Sequence, residues 1–183
     1  MQTLHAVQAE PSATGRSCQG RLPGWSSAII FNAIWLGCAA GNNLLAIIVT
    51  ALYLPFHGWF FVQTKQEFIF IAGLALVGIV LDSFLTTIGV IEFSQRFSVG
   101  PVFITPVWLM CLWLCFATTI HHGFHWLHQR LAIAAVLSVF SVPSSYIIGA
   151  RLSGSTIADP VQLFFVYACV WVLLFPTALR IAR

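Results

Sequence analysis

Charged side chains are scarce in this sequence of 183 residues. Only 7% of the residues are charged, whereas a soluble domain usually carries about 25%. The eight Lys and Arg residues are scattered along the chain, so they offer no clustered basic surface for nucleic acid. Hydrophobic residues make up 59% of the sequence, and its mean hydropathy is +0.92. The composition therefore excludes an ordinary soluble domain and indicates an integral membrane protein.

The sequence also lacks the short motifs of several enzyme classes. It contains no GxSxG and no Gly-rich phosphate loop, which argues against a hydrolase and a nucleotide-binding protein. Its cysteines form no CxxC pair and no even-numbered framework. Four of the five cysteines fall in apolar segments, where cysteine packs as a small hydrophobic side chain; these are Cys38, Cys111, Cys115 and Cys169.

The first 24 residues have no apolar core of the kind that a signal peptide needs. They contain two prolines and two arginines, Pro11, Pro23, Arg16 and Arg21. We therefore expect residues 1–24 to form a polar cytoplasmic tail, and residues 25–183 to form a single transmembrane helical domain.

Long apolar runs follow Trp25, and they predict about six membrane-spanning helices. About twenty apolar residues in an α-helix cross a hydrocarbon core of about 30 Å. The first run is too long for one crossing, and Gly41-Asn42-Asn43 is its natural break. The fold class that we predict is an all-α, polytopic transmembrane helix bundle. Its helices cover about residues 25–41, 43–62, 68–90, 101–125, 131–150 and 161–179.

The distribution of Lys and Arg predicts the orientation of these helices, because cytoplasmic loops carry an excess of both. With a cytoplasmic N-terminus, only Arg96 and Arg151 lie outside. Six basic residues then lie inside: Arg16, Arg21, Lys65, Arg130, Arg180 and Arg183. The sequence therefore predicts that both termini are cytoplasmic.

Asp82 is the acidic side chain that lies well inside a predicted span. An ionisable group there is costly and is a functional candidate, for example in a proton-coupled transporter. Gly78, Ser83 and Thr86 share its face at helical spacing. A small, polar stripe also lets helices approach closely, so Asp82 as a neutral or hydrogen-bonded packing residue is an equally open interpretation.

Four histidines lie within eight positions at the end of predicted helix four: His121, His122, His125 and His128. His57 ends predicted helix two on the same side. Since imidazole is the commonest metal ligand, one alternative is a metal or haem site built from His57, His121, His122 and His125. The favoured interpretation is an interfacial helix end without metal or cofactor. It predicts that His57 lies farther than shared-ligand distance from the helix-four cluster, and that the histidines mostly face headgroups or solvent.

Short motifs in four predicted helices carry a family resemblance. They are Trp35, Leu81-Asp82-Ser83, Pro106-Val107-Trp108, and the segment 143–152 with Tyr146 and Arg151. Over about residues 26–182 the chain resembles a bacterial inner-membrane family catalogued as domain of unknown function 2878. The resemblance implies an all-helical inner-membrane protein without an established reaction, and members that accompany lipid-modifying enzymes. It singles out Asp82, Tyr146 and Arg151.

Three functions remain open at this point, and the sequence does not decide whether the protein is an enzyme. The favoured one is a non-catalytic accessory or lipid-associated subunit that binds membrane lipids, a partner membrane protein or a second copy. The others are a metal- or haem-dependent enzyme that uses the histidines and a transporter that uses Asp82. The candidate intramembrane polar site comprises Asp82, Ser83, Thr86, Tyr146 and Arg151.

Overall fold

The computed structural model of the protein describes residues 22–40, 43–62 and 64–183. These residues form a bundle of six α-helices, which confirms the predicted all-α fold. The predicted tail up to residue 21, and Gly41 and Asn42 of the predicted break, lie outside the described residues. The helices are α1 Gly24–Ala39, α2 Asn43–Phe60, α3 Lys65–Thr87, α4 Val107–His122, α5 Leu131–Ser153 and α6 Pro160–Ile181.

Four short strands interrupt the helical pattern: β1 Ile91–Glu92, β2 Phe97–Val99, β3 Val102–Ile104 and β4 Thr156–Ile157. β2 and β3 form an antiparallel hairpin around Gly100, whose φ of 61° favours glycine. β1 pairs antiparallel with β4, so the connection from α3 to α4 lies beside the connection from α5 to α6. The segment between predicted helices three and four, residues 91–100, thus contains strands, which the helix prediction did not include.

α4 lies at the centre of the bundle and contacts α1, α2, α3 and α6. Ten of its sixteen residues are buried. Its predicted range of 101–125 is too long at both ends. β3 takes the preceding residues into the hairpin, Pro106 occupies the N-cap position, and a 3₁₀ turn at His125–Leu127 follows the helix. α4 is thus about 24 Å long, shorter than a hydrocarbon core of about 30 Å.

The outer surface of the bundle is apolar. α2, α3, α5 and α6 are each long and apolar enough to cross a membrane. Large side chains point outward from them, and Leu52, Ile69 and Leu173 are each more than 70% exposed. Exposed apolar surface of this extent is unfavourable in water and suits contact with lipid tails. The fold is therefore that of a membrane protein.

The six helices alternate in direction, so the bundle has two distinct ends. At the hairpin end, the Trp108 backbone N–H donates to Asn43 Oδ1 at 3.0 Å, and the Phe103 N–H donates to Thr87 Oγ1 at 3.0 Å. At the histidine end, the last turn of α4 contacts the first turn of α3 through His122 and Glu67.

Candidate functional site

A carboxylate cluster joins four helices inside the bundle. Asp82 on α3 is fully buried, and its carboxylate accepts three side-chain donors. Trp113 Nε1–H donates to Oδ2 at 2.6 Å, and the Tyr167 hydroxyl donates to Oδ1 at 2.9 Å. The Tyr146 hydroxyl lies 2.8 Å from Oδ2 and 3.0 Å from Oδ1. Each of the four residues lies about 7–11 Å along its helix from the hairpin end, so the four side chains start from similar depths in the bundle.

All of these donors are neutral, and no cation among the described residues is bonded to the carboxylate. Hydrogen bonds to a carboxylate are about twice as strong as bonds between neutral groups. Three such bonds compensate much of the cost of placing the group in an apolar interior. The arrangement cross-links α3, α4, α5 and α6, which supports the packing interpretation of Asp82.

Glycine at position 78 allows this cluster to form. Gly78 lies one turn before Asp82 on α3, and a Cβ at this position would overlap the indole ring of Trp113. Without that Cβ, the indole lies flat across α3 and its N–H reaches the carboxylate. Trp113 in turn stacks on Trp171 of α6, with ring centroids 5.4 Å apart. The small residue and the aromatic pair therefore position the donor.

The other predicted site residues have different places. Ser83 Oγ accepts the Thr105 backbone N–H at 3.1 Å and so anchors the segment after β3. Thr86 is buried, and its hydroxyl has no partner within the described ranges. Arg151 is exposed in the last turn of α5. Of the five predicted residues, the structure brings together Asp82 and Tyr146.

Sequence reasoning missed Trp113 and Tyr167 as partners of Asp82. Both lie on uniformly apolar helices, where an aromatic residue looks like an ordinary packing residue or an interfacial anchor. The one available signal was a shared depth, because each lies at a similar number of residues from the hairpin end of its helix. Depth alone does not say which face of a helix turns toward α3.

A groove opens beside the cluster between α1 and α5, with a volume of about 350 Å³. We call it the α1–α5 groove. Exposed residues of both helices lie at its rim, among them Asn32, Ser144 and Ile148, so it faces sideways from the bundle. Its inner wall is largely aromatic and includes two members of the carboxylate cluster: Phe31, Trp35, Trp113, Phe116, Tyr146 and Trp171.

The serines of α5 add little polarity to the groove. Ser141 Oγ donates to the Leu137 carbonyl at 2.8 Å, and Ser144 Oγ donates to the Phe140 carbonyl at 2.7 Å. These are local bonds one turn back along the helix, and they use the hydroxyl proton. The groove is thus an apolar, aromatic-walled slot with Tyr146 as its link to Asp82.

The histidines form a second polar cluster, at the histidine end. His57 is only 2% exposed, and its ring lies edge-on to that of His122 with centroids 5.4 Å apart. His57 contacts His122 because α2 packs directly against α4, and the prediction that it lies beyond shared-ligand distance of the helix-four cluster stays a prediction. The prediction that the histidines mostly face headgroups or solvent fails for His57 and for His128, which is 7% exposed, and holds for His125.

Three histidines at this end, His121, His122 and His128, each make a different contact within the protein. His122 Nε2 lies 3.0 Å from Glu67 Oε2, and the same Glu67 closes the N-terminus of α3 in a capping box. His128 Nε2–H donates to the Ile120 carbonyl at 2.9 Å. His121 packs edge-on against Phe70.

A cavity of about 410 Å³ lies among four of these histidines, Glu67 and Arg183. Within the described ranges, no group of three or more His, Cys, Asp or Glu side chains is placed to hold a metal ion. The alternative ligand set His57, His121, His122 and His125 therefore does not converge. The four cysteines that the structure describes are free: Cys38, Cys111 and Cys115 are buried, and Cys169 is exposed.

Comparison with known proteins gives one match. A family model described as "Protein of unknown function (DUF2878)" matches residues 24–177, a range that contains α1 to α5 and most of α6. No curated protein and no solved structure matches the chain.

Proposed function

The chain belongs to the DUF2878 family, whose function is not established, and from its site we propose that it is a lipid-associated membrane protein that holds one hydrocarbon chain in the α1–α5 groove. The observation that carries the proposal is the groove itself. Its volume of about 350 Å³ lies in the range of ligand pockets. Its rim faces sideways, where the neighbouring medium of a membrane protein is lipid tails.

The lining of the groove supports an apolar ligand. No charged side chain lines it among the described residues. The hydroxyls of Ser141 and Ser144 donate their hydrogen bonds to carbonyl groups of α5 itself. The aromatic wall offers large, rigid contact area to a flexible chain. A water-soluble substrate would find few partners here, whereas a lipid tail that enters from the bilayer moves from one apolar environment to another.

The two alternatives have less support. A transporter that uses Asp82 needs an aqueous path to its carboxylate, but Asp82 is fully buried and bonded to three protein donors. A metal-dependent enzyme needs at least three converging ligands, and the histidine end provides no such group within the described ranges. A non-catalytic accessory role fits the site best.

The proposal extends to the place of the protein in the cell. We place the bundle in the inner membrane of a bacterium with both termini in the cytoplasm, because Lys and Arg then lie mostly on the inner side. The histidine end would face the cytoplasm, and the α1–α5 groove would lie in the outer half of the bilayer. Its partners would be membrane lipids and either a second copy or another membrane protein, and not nucleic acid.

Native mass spectrometry of the detergent-purified protein tests the lipid proposal. Gly149 lines the groove, and a Cβ there would lie 3.8 Å from Trp35 Cζ2, so Gly149→Leu fills the slot between α1 and α5. Gly73→Leu is the matched control, because a Cβ at Gly73 meets nothing within 4 Å. We expect a one-to-one lipid adduct on the wild type and on the control, and its loss from Gly149→Leu. Equal adducts on all three proteins, or none on the wild type, would refute the proposal.

A further inference from the structure

The outer face of α1 carries a polar side chain at mid-depth of the bundle. Asn32 is exposed, and it lies about 12 Å along the helix from Gly24 and about 11 Å from Ala39. Among the residues that the structure describes, it is the one carboxamide exposed in the middle of a helix. Lipid tails offer it no hydrogen-bond partner, so a carboxamide at this depth is unfavourable unless another protein group pairs with it.

The hydrogen bonding of Asn32 leaves one donor and one acceptor for such a partner. Its Nδ2 donates to the Ala28 carbonyl at 2.8 Å, one turn back on the same helix. A carboxamide has two N–H groups and one oxygen, so the second N–H and Oδ1 form no hydrogen bond among the described residues. A group with one donor and one acceptor is complementary to a second copy of itself, because two such groups can exchange two N–H···O bonds.

Large apolar residues flank Asn32 at the spacing of a helix–helix seam. Trp25, Ile29 and Leu36 are 64%, 61% and 57% exposed. With Asn32 they follow one another at intervals of four, three and four residues, so the four side chains lie within about 60° of each other around α1. Two helices pack side by side along this heptad pattern, and a single Asn in such a seam fixes their register. We call these four residues the α1 seam.

The length of α1 also favours a partner on this face. Its 16 residues span about 24 Å, which is less than a hydrocarbon core of about 30 Å. α4 is equally short but is surrounded by other helices, whereas α1 presents its outer face to the membrane. Oligomerisation is one of the ways in which a membrane accommodates a short span, because it removes that span from contact with lipid.

Symmetry makes a second copy of this chain the partner that fits the α1 seam. Two copies inserted in one membrane have the same orientation, so a two-fold axis along the membrane normal places their α1 helices parallel. Both Asn32 side chains then lie at one depth, and each seam meets its own copy in an isologous contact. An unrelated helix would need its own polar group at this depth and on the contacting face.

We propose that a second copy of the chain binds the outer face of α1, with the two helices packed along the α1 seam and a reciprocal pair of hydrogen bonds between the Asn32 side chains. This inference specifies the partner that the proposed function left open. It concerns the outer face of α1, so it does not depend on a lipid in the α1–α5 groove.

Resonance energy transfer between donor- and acceptor-labelled copies in phospholipid vesicles measures the dimer as the ratio of protein to lipid is varied. Asn32→Leu removes the carboxamide and leaves the face apolar. Ser144→Ala is the matched control, because Ser144 is also exposed and its hydroxyl already donates to the Phe140 carbonyl of its own helix at 2.7 Å. We expect Asn32→Leu to raise the dissociation constant of the dimer about tenfold, in keeping with hydrogen bonds between membrane helices. Ser144→Ala should not change it.

Cysteine cross-linking in membranes locates the interface with Asn32 intact, so this test does not require Asn32→Leu to fold. Ile29→Cys lies in the α1 seam, and Leu76→Cys on α3 is the matched control because Leu76 is 62% exposed. Both are made in a chain whose Cys18 and Cys169 are replaced by serine. Oxidation should link two copies of the Ile29→Cys protein by a disulfide and leave the Leu76→Cys protein monomeric.

Four results would overturn this inference: a monomeric wild type at every ratio of protein to lipid, an Asn32→Leu dimer as tight as the wild type, cross-linking equal at both positions, or an Ile29→Cys protein that links only to other membrane proteins. A monomeric wild type that still carries the lipid adduct would leave the proposed function standing. A dimer through the α1 seam without a lipid adduct would refute the proposed function and support this inference.

Discussion

Asp82 shows at the scale of a single residue how an acidic group is accommodated in an apolar bundle without a cation. Its two oxygens accept a Trp N–H and two Tyr O–H groups that come from three other helices. Trp113 and Tyr167 are buried with the carboxylate and Tyr146 is partly buried, so the loss of one partner leaves the others without compensation. The cost of breaking such a set exceeds the net gain from forming it.

Asp82→Asn should destabilise the protein by about 3 kcal/mol. The amide keeps one acceptor oxygen but points an N–H₂ group at donors from Trp113, Tyr146 or Tyr167. Chemical denaturation in detergent micelles measures the change. Asp159→Asn is the control, because Asp159 caps α6 by accepting the Val161 N–H and Asn caps a helix equally well. Equal, small changes for both variants would contradict the role of Asp82 as a cross-link.

Sequence reasoning found part of this residue-scale picture. Asp82 was identified because a carboxylate in an apolar span is rare, and Tyr146 entered through the family resemblance. Trp113 and Tyr167 were not identified, since hydropathy does not reveal which face of an apolar helix turns inward. Ser83 and Thr86 were grouped with Asp82 by helical spacing, but Ser83 faces β3 and its neighbours.

At the scale of elements, the close approach of α3 and α4 depends on the absence of a Cβ atom at Gly78. Gly78→Ala should displace the Trp113 indole from Asp82, and we expect a loss of about 1–3 kcal/mol in stability. Gly73→Ala on the open face of α3 should have little effect on stability. Thermal unfolding followed by near-ultraviolet circular dichroism reports both the stability and the tryptophan environment. A Gly78→Ala protein as stable as Gly73→Ala would show that the indole does not need this space.

The end of α4 depends on His128, whose Nε2–H donates to the Ile120 carbonyl. Burial lowers the pKa of His128, and the nearby His125 and Arg183 lower it further, against the effect of this bond. In the folded protein His128 therefore stays neutral to a lower pH than in the unfolded chain, where it is protonated near the ordinary pKa of about 6.5. Stability from this group is present above that pH and is lost as the pH falls.

His128→Gln should therefore reduce the acid sensitivity of the protein, because a glutamine can donate to the same carbonyl and does not titrate. The measurement is the difference in melting temperature between about pH 7.5 and about pH 5.5. We expect a smaller drop for the variant than for the wild type. The same drop in both proteins, or a wild type that melts higher in acid, would contradict this account of the α4 end.

At the scale of the whole molecule, the number and order of helices could be predicted from the apolar runs, because twenty apolar residues have few alternatives in a bilayer. The central position of α4 could not, since α4 is no more apolar than its neighbours and is shorter than most of them. The strands at the hairpin end also escaped prediction, because two- and three-residue strands leave no periodic signal.

Reporter fusions test the orientation of the bundle. A reporter that works only outside the cytoplasm should be active when fused near Arg96 or Ser155, both at the hairpin end. It should be silent when fused at Lys65, at Arg130 or after the last residue. The reverse pattern would place the histidine end outside and would invert the proposed orientation.

The position of the bound lipid tests the whole interpretation most directly. The purified protein is placed in bilayer nanodiscs that contain a phospholipid with a photoactivatable diazirine in its acyl chain. It is irradiated and digested, and the adducts are mapped by mass spectrometry. We expect adducts concentrated on the groove segments, 31–35 of α1 and 141–149 of α5, and few on the exposed face of α3 around Leu76 and Val80. The excess on the groove should disappear in Gly149→Leu. Adducts spread evenly over all lipid-facing helices, unchanged in that variant, would contradict a lipid site between α1 and α5.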